Sequence, residues 1–305
     1  MIERFIKGLI FFNFKGKLKM NKIKFPKEQA IIPDSFRYIG ASPLDGRYKS
    51  LMKEVGRLAQ YFEDKGVDKS VLRAIKYNQE KEVFRGSNDP SVVLVNMALK
   101  GSNYRTATQQ DLEYVMFAND SSFNASHLRN HYVDSGLALR DDQELNEYQA
   151  KYLINQIQTE FGSEFKLPYK LDLNNLELRL DLNSQSGLVY HILDLSRIVH
   201  APILNEKTGK FSSNDPGLLK IGLPYDLGEG SRSLYTTKHG LCGLLLYWGW
   251  GVSSRRGRLG NSDSVGLVVV VSEADAQKFK HEINQRYEER ARELELKRQN
   301  ALSLL

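Results

Sequence analysis

The chain is almost without cysteine. Of 305 residues, Cys242 alone carries a thiol. That excludes an intrachain disulfide and every zinc site built from cysteines. Cys242 lies within GLCGLLLYW and reads as a small buried hydrophobe. No apolar run approaches the roughly 20 residues that a membrane-spanning helix needs, so no transmembrane segment is expected. Internal repeats are lacking, as are a Gly-Lys-Ser/Thr phosphate loop and a dinucleotide fingerprint opening a helix. The body of the chain also lacks net charge. Residues 1–28 hold Arg4, Lys7, Lys15, Lys17, Lys19, Lys22, Lys24 and Lys27 against Glu3 and Glu28. This accounts for the whole +6 of the chain. The pI near 9.1 therefore describes a basic tail and not the folded body.

Within that tail, RFIKGLIFFNFKGKLK (4–19) has two readings. One is a cationic amphipathic segment suited to a membrane surface or an anionic partner. The other is a loosely packed extension before Met20. A secretory signal is not expected, because a longer apolar core and a small-residue cleavage site are missing. Hydrophobic content of 41% and charged content of 26% are those of a soluble globular chain, and cytoplasmic residence is the expectation.

Residues 47–162 read mainly as helix. Leu51, Val55, Leu58, Tyr61 and Phe62 fall at helical spacing and Gly66 closes that helix. Asp68 caps a second, DKSVLRAIKYNQEKEVF, with Val71, Leu72 and Ile75 on its apolar face. Helices follow at about 90–99, 108–118 and 142–161. From 164 the pattern changes to strands and turns. GLVYHILDLSRIV (187–199) fits either a buried strand or a helix capped by Ser186, and 205–232 reads as loop. GLVVVVS (266–272) is a β-branched strand, and Ser272 with Glu273 and Asp275 starts a final helix. That helix is nearly all charged beyond Tyr287, so its second half is solvated or meets a partner, including a second copy of the chain. The expected class is α+β, a helical N-terminal half followed by a β-rich C-terminal half with a terminal helix. The organisation is a tail (1–28), a helical region (29–163) and a β-rich region (164–305).

Four segments carry chemistry. In EFKLPYKLDLNNLELRLDLN (164–183), two alternating runs flank Asn174-Asn175 and read as a tight β-hairpin pairing Leu173 with Leu176, Asp172 with Glu177 and Lys170 with Arg179. Asp172 with Glu177-Leu178-Arg179 resembles the Asp…Glu-x-Lys signature of metal-dependent nucleases. The resemblance implies Mg²⁺ held by Asp172 and Glu177, with Lys170 or Arg179 stabilising charge. Arginine in the lysine position does not act as a base. Otherwise no cofactor is expected.

In TATQQDLEYVMFANDSSFNASHLRNHYVDSGLAL (106–139), Thr108 and Asp111 make a capping-box-like start. Asn119-Asp120-Ser121 turns the chain, and a second helix (122–135) ends at Gly136. ASHLRNHYVDSGL resembles the recognition helices of winged helix-turn-helix regulators. That resemblance implies DNA facing Ser122, Asn124, Ser126, His127, Arg129 and Asn130. His127 and His131, four apart, lack the glutamate that accompanies such a pair in zinc hydrolases, so no metal is expected there.

GWGVSSRRGRLGNSDSVG (249–266) reads as a glycine-rich loop. There Ser253, Ser254, Arg255, Arg256 and Arg258, beside Trp248 and Trp250, combine anion donors with stacking surfaces. Thr236, Thr237, Lys238 and His239 form a small polar group. Finally, ASPLDGRYKS (41–50) resembles the opening of adenylosuccinate lyases. The Lys-Asn-Pro-type signature of that family does not occur in this chain, and Pro43, Asp45 and Gly46 read as a plain turn before a helix.

Together these point to a nucleic-acid-binding protein using the helix-turn-helix-like segment and the arginine loop on one surface. A Mg²⁺-dependent nuclease or phosphoryl-transfer enzyme on the hairpin is the first alternative. A non-catalytic assembly protein is the second.

Overall fold

The computed structural model describes residues 36–39, 46–72, 76–78, 83–85, 87–117, 128, 131–247, 249, 251–261 and 266–302. The basic tail, the turn at 41–45 and Trp250 lie outside the described residues, as do Ser122, Asn124, Ser126, His127, Arg129 and Asn130. The class is α+β, with helices early, strands concentrated in the C-terminal half and a terminal helix.

Helix α1 (Gly46–Asp64) buries Leu51, Val55, Leu58 and Phe62, spaced 4, 3 and 4 apart, and the chain leaves it at Gly66 with φ +92°. Helix α2 (Lys69–Leu72) is capped by Asp68, whose Oδ1 accepts from Ser70 N at 2.8 Å. Its described span is one turn, where four were expected. Strands β2 (Lys76–Asn78) and β3 (Val83–Arg85) pair antiparallel where its continuation was expected. The reason is in the stripe: beyond Ile75 the next helical-face positions are Asn78, Gln79 and Glu82, which offer nothing to bury. Helix α3 (Asp89–Leu99) starts from Asn88, whose side chain accepts from Ser91 N, with Pro90 in the first turn. Strand β4 (Tyr104–Thr106) leads to α4 (Gln109–Phe117). The Thr108–Asp111 box closes as expected: Asp111 Oδ2 accepts from Thr108 N at 2.8 Å and Thr108 Oγ1 accepts from Asp111 N at 3.2 Å.

Residues 132–135, expected as the end of a DNA-facing helix, begin strand β5 (Tyr132–Leu139), which is buried along its whole length. Gly136 does not end a helix. A Cβ there would stand 2.8 Å from Leu171 O, so glycine lets a neighbouring strand approach.

Helix α5 (Glu147–Phe161) follows a loop in which Glu144 and Asn146 adopt positive φ. The hairpin expected at 164–183 does not form. Strand β6 (Tyr169–Asp172) pairs with β5 and with β9 (Val199–His200), whereas β7 (Leu176–Leu180) pairs with β8 (Leu188–Ile192). A 3₁₀ turn at 173–175 sends the two strands into different sheets. Asn175 holds that turn to the far end of β8, donating to Asp194 O at 2.7 Å and accepting from Asp194 N at 3.1 Å. The alternating pattern was read correctly as strand. The partners differ because β7 finds a five-residue match in β8 that buries Leu176, Leu178, Leu188, Tyr190 and Ile192 together. Along the open edge of β8, Gln149 and Gln156 of α5 stand in for a third strand. Gln149 Oε1 accepts from Tyr190 N at 3.1 Å, and Gln156 Oε1 accepts from Ile192 N at 3.2 Å.

The region expected as loop, 205–232, holds β10 (Gly209–Phe211) and α6 (Pro216–Ile221), and its last residue opens β11 (Arg232–Tyr235). Strands β12 (Leu241–Tyr247), β13 (Gly251–Arg256) and β14 (Gly266–Ser272) complete the main sheet, with β1 (Phe36–Ile39) at one end. Its order is β1-β14-β5-β12-β13-β11-β10, with β4 beside β14 and β6 beside β5. Leu51, Leu94, Leu153, Leu171, Leu188 and Val268 share one apolar cluster, so the core draws on both sides of residue 163. Helix α7 (Glu273–Leu302) buries Ala276 and Ile283 and packs the Tyr287 ring, tilted, against Phe117. Past Tyr287 it exposes Leu294, Leu296 and Leu302, as its charge pattern implied. No helix among the described residues is long and apolar enough to cross a membrane.

Candidate functional site

The expected glycine loop is largely strand β13, and its alternation divides the arginines. Gly251, Ser253 and Arg255 share one face. Val252, Ser254 and Arg256 share the other, which faces inward. Arg255 and Arg258 are exposed. Ser254 is fully buried: it accepts from Arg140 Nη2 at 2.6 Å and donates to Tyr235 O at 3.3 Å.

On the outer face, Tyr235 at the end of β11, Tyr247 at the end of β12 and Arg255 form a platform. The Arg255 guanidinium lies 4.8 Å from the Tyr235 ring centre, and the Tyr235 and Tyr247 rings meet edge-on at 6.0 Å. Gly251, opposite Tyr247, makes room for this: a Cβ there would stand 3.2 Å from Tyr235 Cε2. Tyr235 and Tyr247 carried no signal in the sequence beyond being aromatic, because their neighbourhood depends on the β11–β13–β12 register.

On the inner side, Arg256 meets two buried carboxylates. Its Nη2 lies 2.6 Å from Asp134 Oδ1, an ion pair without hydrogen-bond alignment, and 3.7 Å from Asp89 Oδ2. Ser87 Oγ donates to Asp134 Oδ2 at 2.7 Å. Among the described residues, neither oxygen of Asp89 has a well-aligned hydrogen-bond partner, nor does the Tyr190 hydroxyl. Burial pushes the Asp89 pKa well above the usual carboxylate range, and the Asp134 charge adds to this against the pull of Arg256. Burial likewise raises the Tyr190 phenol, with Asp89 the next cause. Gly243 lets β12 pass this cluster, since a Cβ there would stand 2.7 Å from Asp89 Oδ2. In the sequence Asp89 lay just before the helix expected at about 90–99, and Asp134 within the helix expected at 122–135. The alternation of Val133, Leu137 and Leu139 was the signal that Asp134 belongs to a strand.

Asp89 has a consequence for stability. Its folded-state pKa exceeds the unfolded value, so its contribution is complete below about pH 4 and is lost as pH rises through the folded pKa. Asp89→Asn removes that loss. Urea midpoints of the wild type should fall relative to Asp89→Asn as pH rises above the unfolded carboxylate value near pH 4. Parallel pH profiles would contradict the assignment.

A cleft of about 800 Å³ opens beside the inner cluster, floored by Pro90, Leu178, Leu188, Tyr190 and Leu259 and rimmed by charged residues, Arg258 among them. The remaining expected groups lie elsewhere. Lys170 is buried, with Nζ 2.7 Å from Asp172 Oδ1, and Arg179 Nε donates to Glu177 at 2.8 Å. The expected cross-strand pairs Asp172–Glu177 and Lys170–Arg179 are absent, because the two strands are in separate sheets. Among the described residues, no group of three or more His, Cys, Asp or Glu side chains is placed to hold a metal ion. His239 Nδ1 lies 2.7 Å from Asp141 Oδ2, while Thr236 Oγ1 donates to Glu206 O. Cys242 is buried, which pushes its thiol up to about 11. No protein-family model, curated protein or solved structure matches the chain.

Proposed function

We propose that the protein binds single-stranded nucleic acid on the Arg255–Tyr235–Tyr247 platform. The stacking of an exposed arginine on a tyrosine beside a second tyrosine carries this reading. Base faces stack on such aromatic–guanidinium surfaces whatever the base, and the arginine meets the backbone phosphates. In sequence, Trp248 and Trp250 adjoin the platform and a basic tail precedes the fold, both suited to the same ligand. The segment carrying Ser122, Asn124, Ser126, His127, Arg129 and Asn130 enters the proposal on its hydrogen-bonding composition alone.

Fluorescence anisotropy with labelled oligo-dT and oligo-U tests it. Tyr235→Ala should weaken binding about tenfold through lost stacking. Arg255→Ala should weaken it comparably and lessen the slope of affinity against salt. An unchanged anisotropy at low salt, or full affinity in both variants, would refute the proposal.

A further inference from the structure

The platform stands at one end of a longer exposed surface, which the strand register defines. Tyr247 of β12 lies opposite Gly251 of β13. Strand β13 runs parallel to β11, with Val252 beside Leu234 and Ser253 beside Tyr235, so one step back Gly251 lies beside Ser233. A Cβ on Gly251 would accordingly stand 3.3 Å from Ser233 O. Ser233 in turn pairs with Lys210 of β10. Cross-strand partners share a face. Tyr247, Gly251, Ser233 and Lys210 therefore form a row across four strands, on the side that carries Tyr235. Burial agrees: Phe211, Arg232, Leu234 and Val252, which alternate with these residues, are buried, while Lys210 is exposed.

The chemistry of the row favours a polymer. Between its ends lie only a glycine and a serine, so no bulky side chain of the row rises between Tyr247 and Lys210. At the far end, the Lys210 ammonium has no carboxylate partner among the described residues. Lysine presents a point charge on a flexible stem, which suits a backbone phosphate whatever bases flank it. In the other direction the surface closes. Leu245, on the same side of β12 as Tyr247, is 4% exposed, and β5 beyond it is buried along its whole length. A ligand seated on the platform extends toward β10 and not toward β5. The row spans three strand spacings, about 14 Å. A mononucleotide or dinucleotide on the tyrosines falls short of Lys210.

We infer that the platform's ligand is a strand of about four nucleotides or longer, at the rise of about 3.4 Å of stacked bases, which crosses β13 and β11 and sets a backbone phosphate on Lys210. This rests on the platform reading above and gives its ligand a length, a direction and a phosphate contact beyond that of Arg255.

Anisotropy of a labelled thymidylate octamer on the full chain, with unlabelled octamer and dinucleotide as competitors, tests this. Lys210→Ala should weaken the octamer roughly threefold, the effect of one exposed charge pair, and leave the dinucleotide unchanged. For the octamer it should also lessen the slope of log affinity against log salt by about 0.7, the share of one phosphate on a single strand. Lys210→Arg should keep the wild-type affinity and slope. Lys220→Ala removes an equal charge from α6, whose Leu218 packs with Leu234 and Val252 on the opposite face of the sheet, and should alter neither. Suppose the octamer binds and both Tyr235→Ala and Arg255→Ala weaken it. If Lys210→Ala then acts on octamer and dinucleotide alike, or no more than Lys220→Ala does, the path is overturned and the platform stands. If the wild type does not bind the octamer, the platform reading falls and the path falls with it.

Discussion

Replacing Arg232 with methionine should destabilise the protein by about 3–5 kcal/mol, the effect of stranding one partner of a buried ion pair. Arg232 opens β11 and grips Glu113 of α4 with both nitrogens, at 2.5 and 2.8 Å. The two side chains are 5% and 1% exposed, so Glu113 alone would be a charge without water. Around it, Gln109 Nε2 donates to Glu113 at 2.9 Å and Ser135 Oγ donates to Gln109 at 2.8 Å, while Arg232 lies 4.8 Å over the Phe211 ring. The pair thus ties α4 to strands β5 and β11. Adding Glu113→Leu to Arg232→Met should restore much of the loss, because the penalty comes from the unpaired charge and not from missing attraction. Urea unfolding of the single and double variants measures both. A single variant within about 1 kcal/mol of wild type would mean that water reaches Glu113 and would contradict the burial argument.

Asp111→Asn is expected to cost a similar amount, about 3–5 kcal/mol at neutral pH, and to loosen α7. Burial pushes the Asp111 carboxyl up, but Arg105 and Lys280 outweigh it and hold the group below the usual carboxylate range. Arg105 Nη1 lies at 2.5 Å and Lys280 Nζ at 2.8 Å, with two further bonds from Thr108. A depressed folded-state pKa contributes stability that is present above the unfolded value near pH 3.9 and is lost as pH falls through the folded value. The wild type should therefore lose stability on acidification faster than Asp111→Asn does. Lys280 belongs to α7, so hydrogen exchange across Ala276–Tyr287 should quicken in the variant. Wild-type protection of that segment would show that Ile283 and the Tyr114–Asn284 bond hold the helix without the ion pair.

How far the residues alone could be read differs by element. The stripe of α1, the caps at Asp68 and Thr108, the β-branched run of β14 and the start of α7 were all legible, because each depends on neighbours within a turn or two. The α2 helix was over-extended because its cap signal was stronger than its apolar stripe, which ends at Ile75. At 132–135, a polar run after Leu128 looked helical. Its true character followed from pairing with Leu241–Leu246 on one side and Tyr169–Asp172 on the other. In the candidate sites, the arginine run was visible while its division was not. Tyr235, Tyr247, Asp89, Asp134 and Tyr190 gained their roles only by being brought together.

By itself, the sequence determined an α+β class, strands at 169–180 and 266–272, a charged terminal helix and a +6 charge held in the first 28 residues. Those are properties of local periodicity and composition, which the chain carries wherever it goes. Tertiary structure alone decided that β6 and β7 part company and that Arg255 faces solvent while its neighbour Arg256 lies against Asp134. The physical reason is that strand partners and the depth of a charge are set by which distant segments compete to bury the same face, and a one-residue step along a strand reverses the outcome.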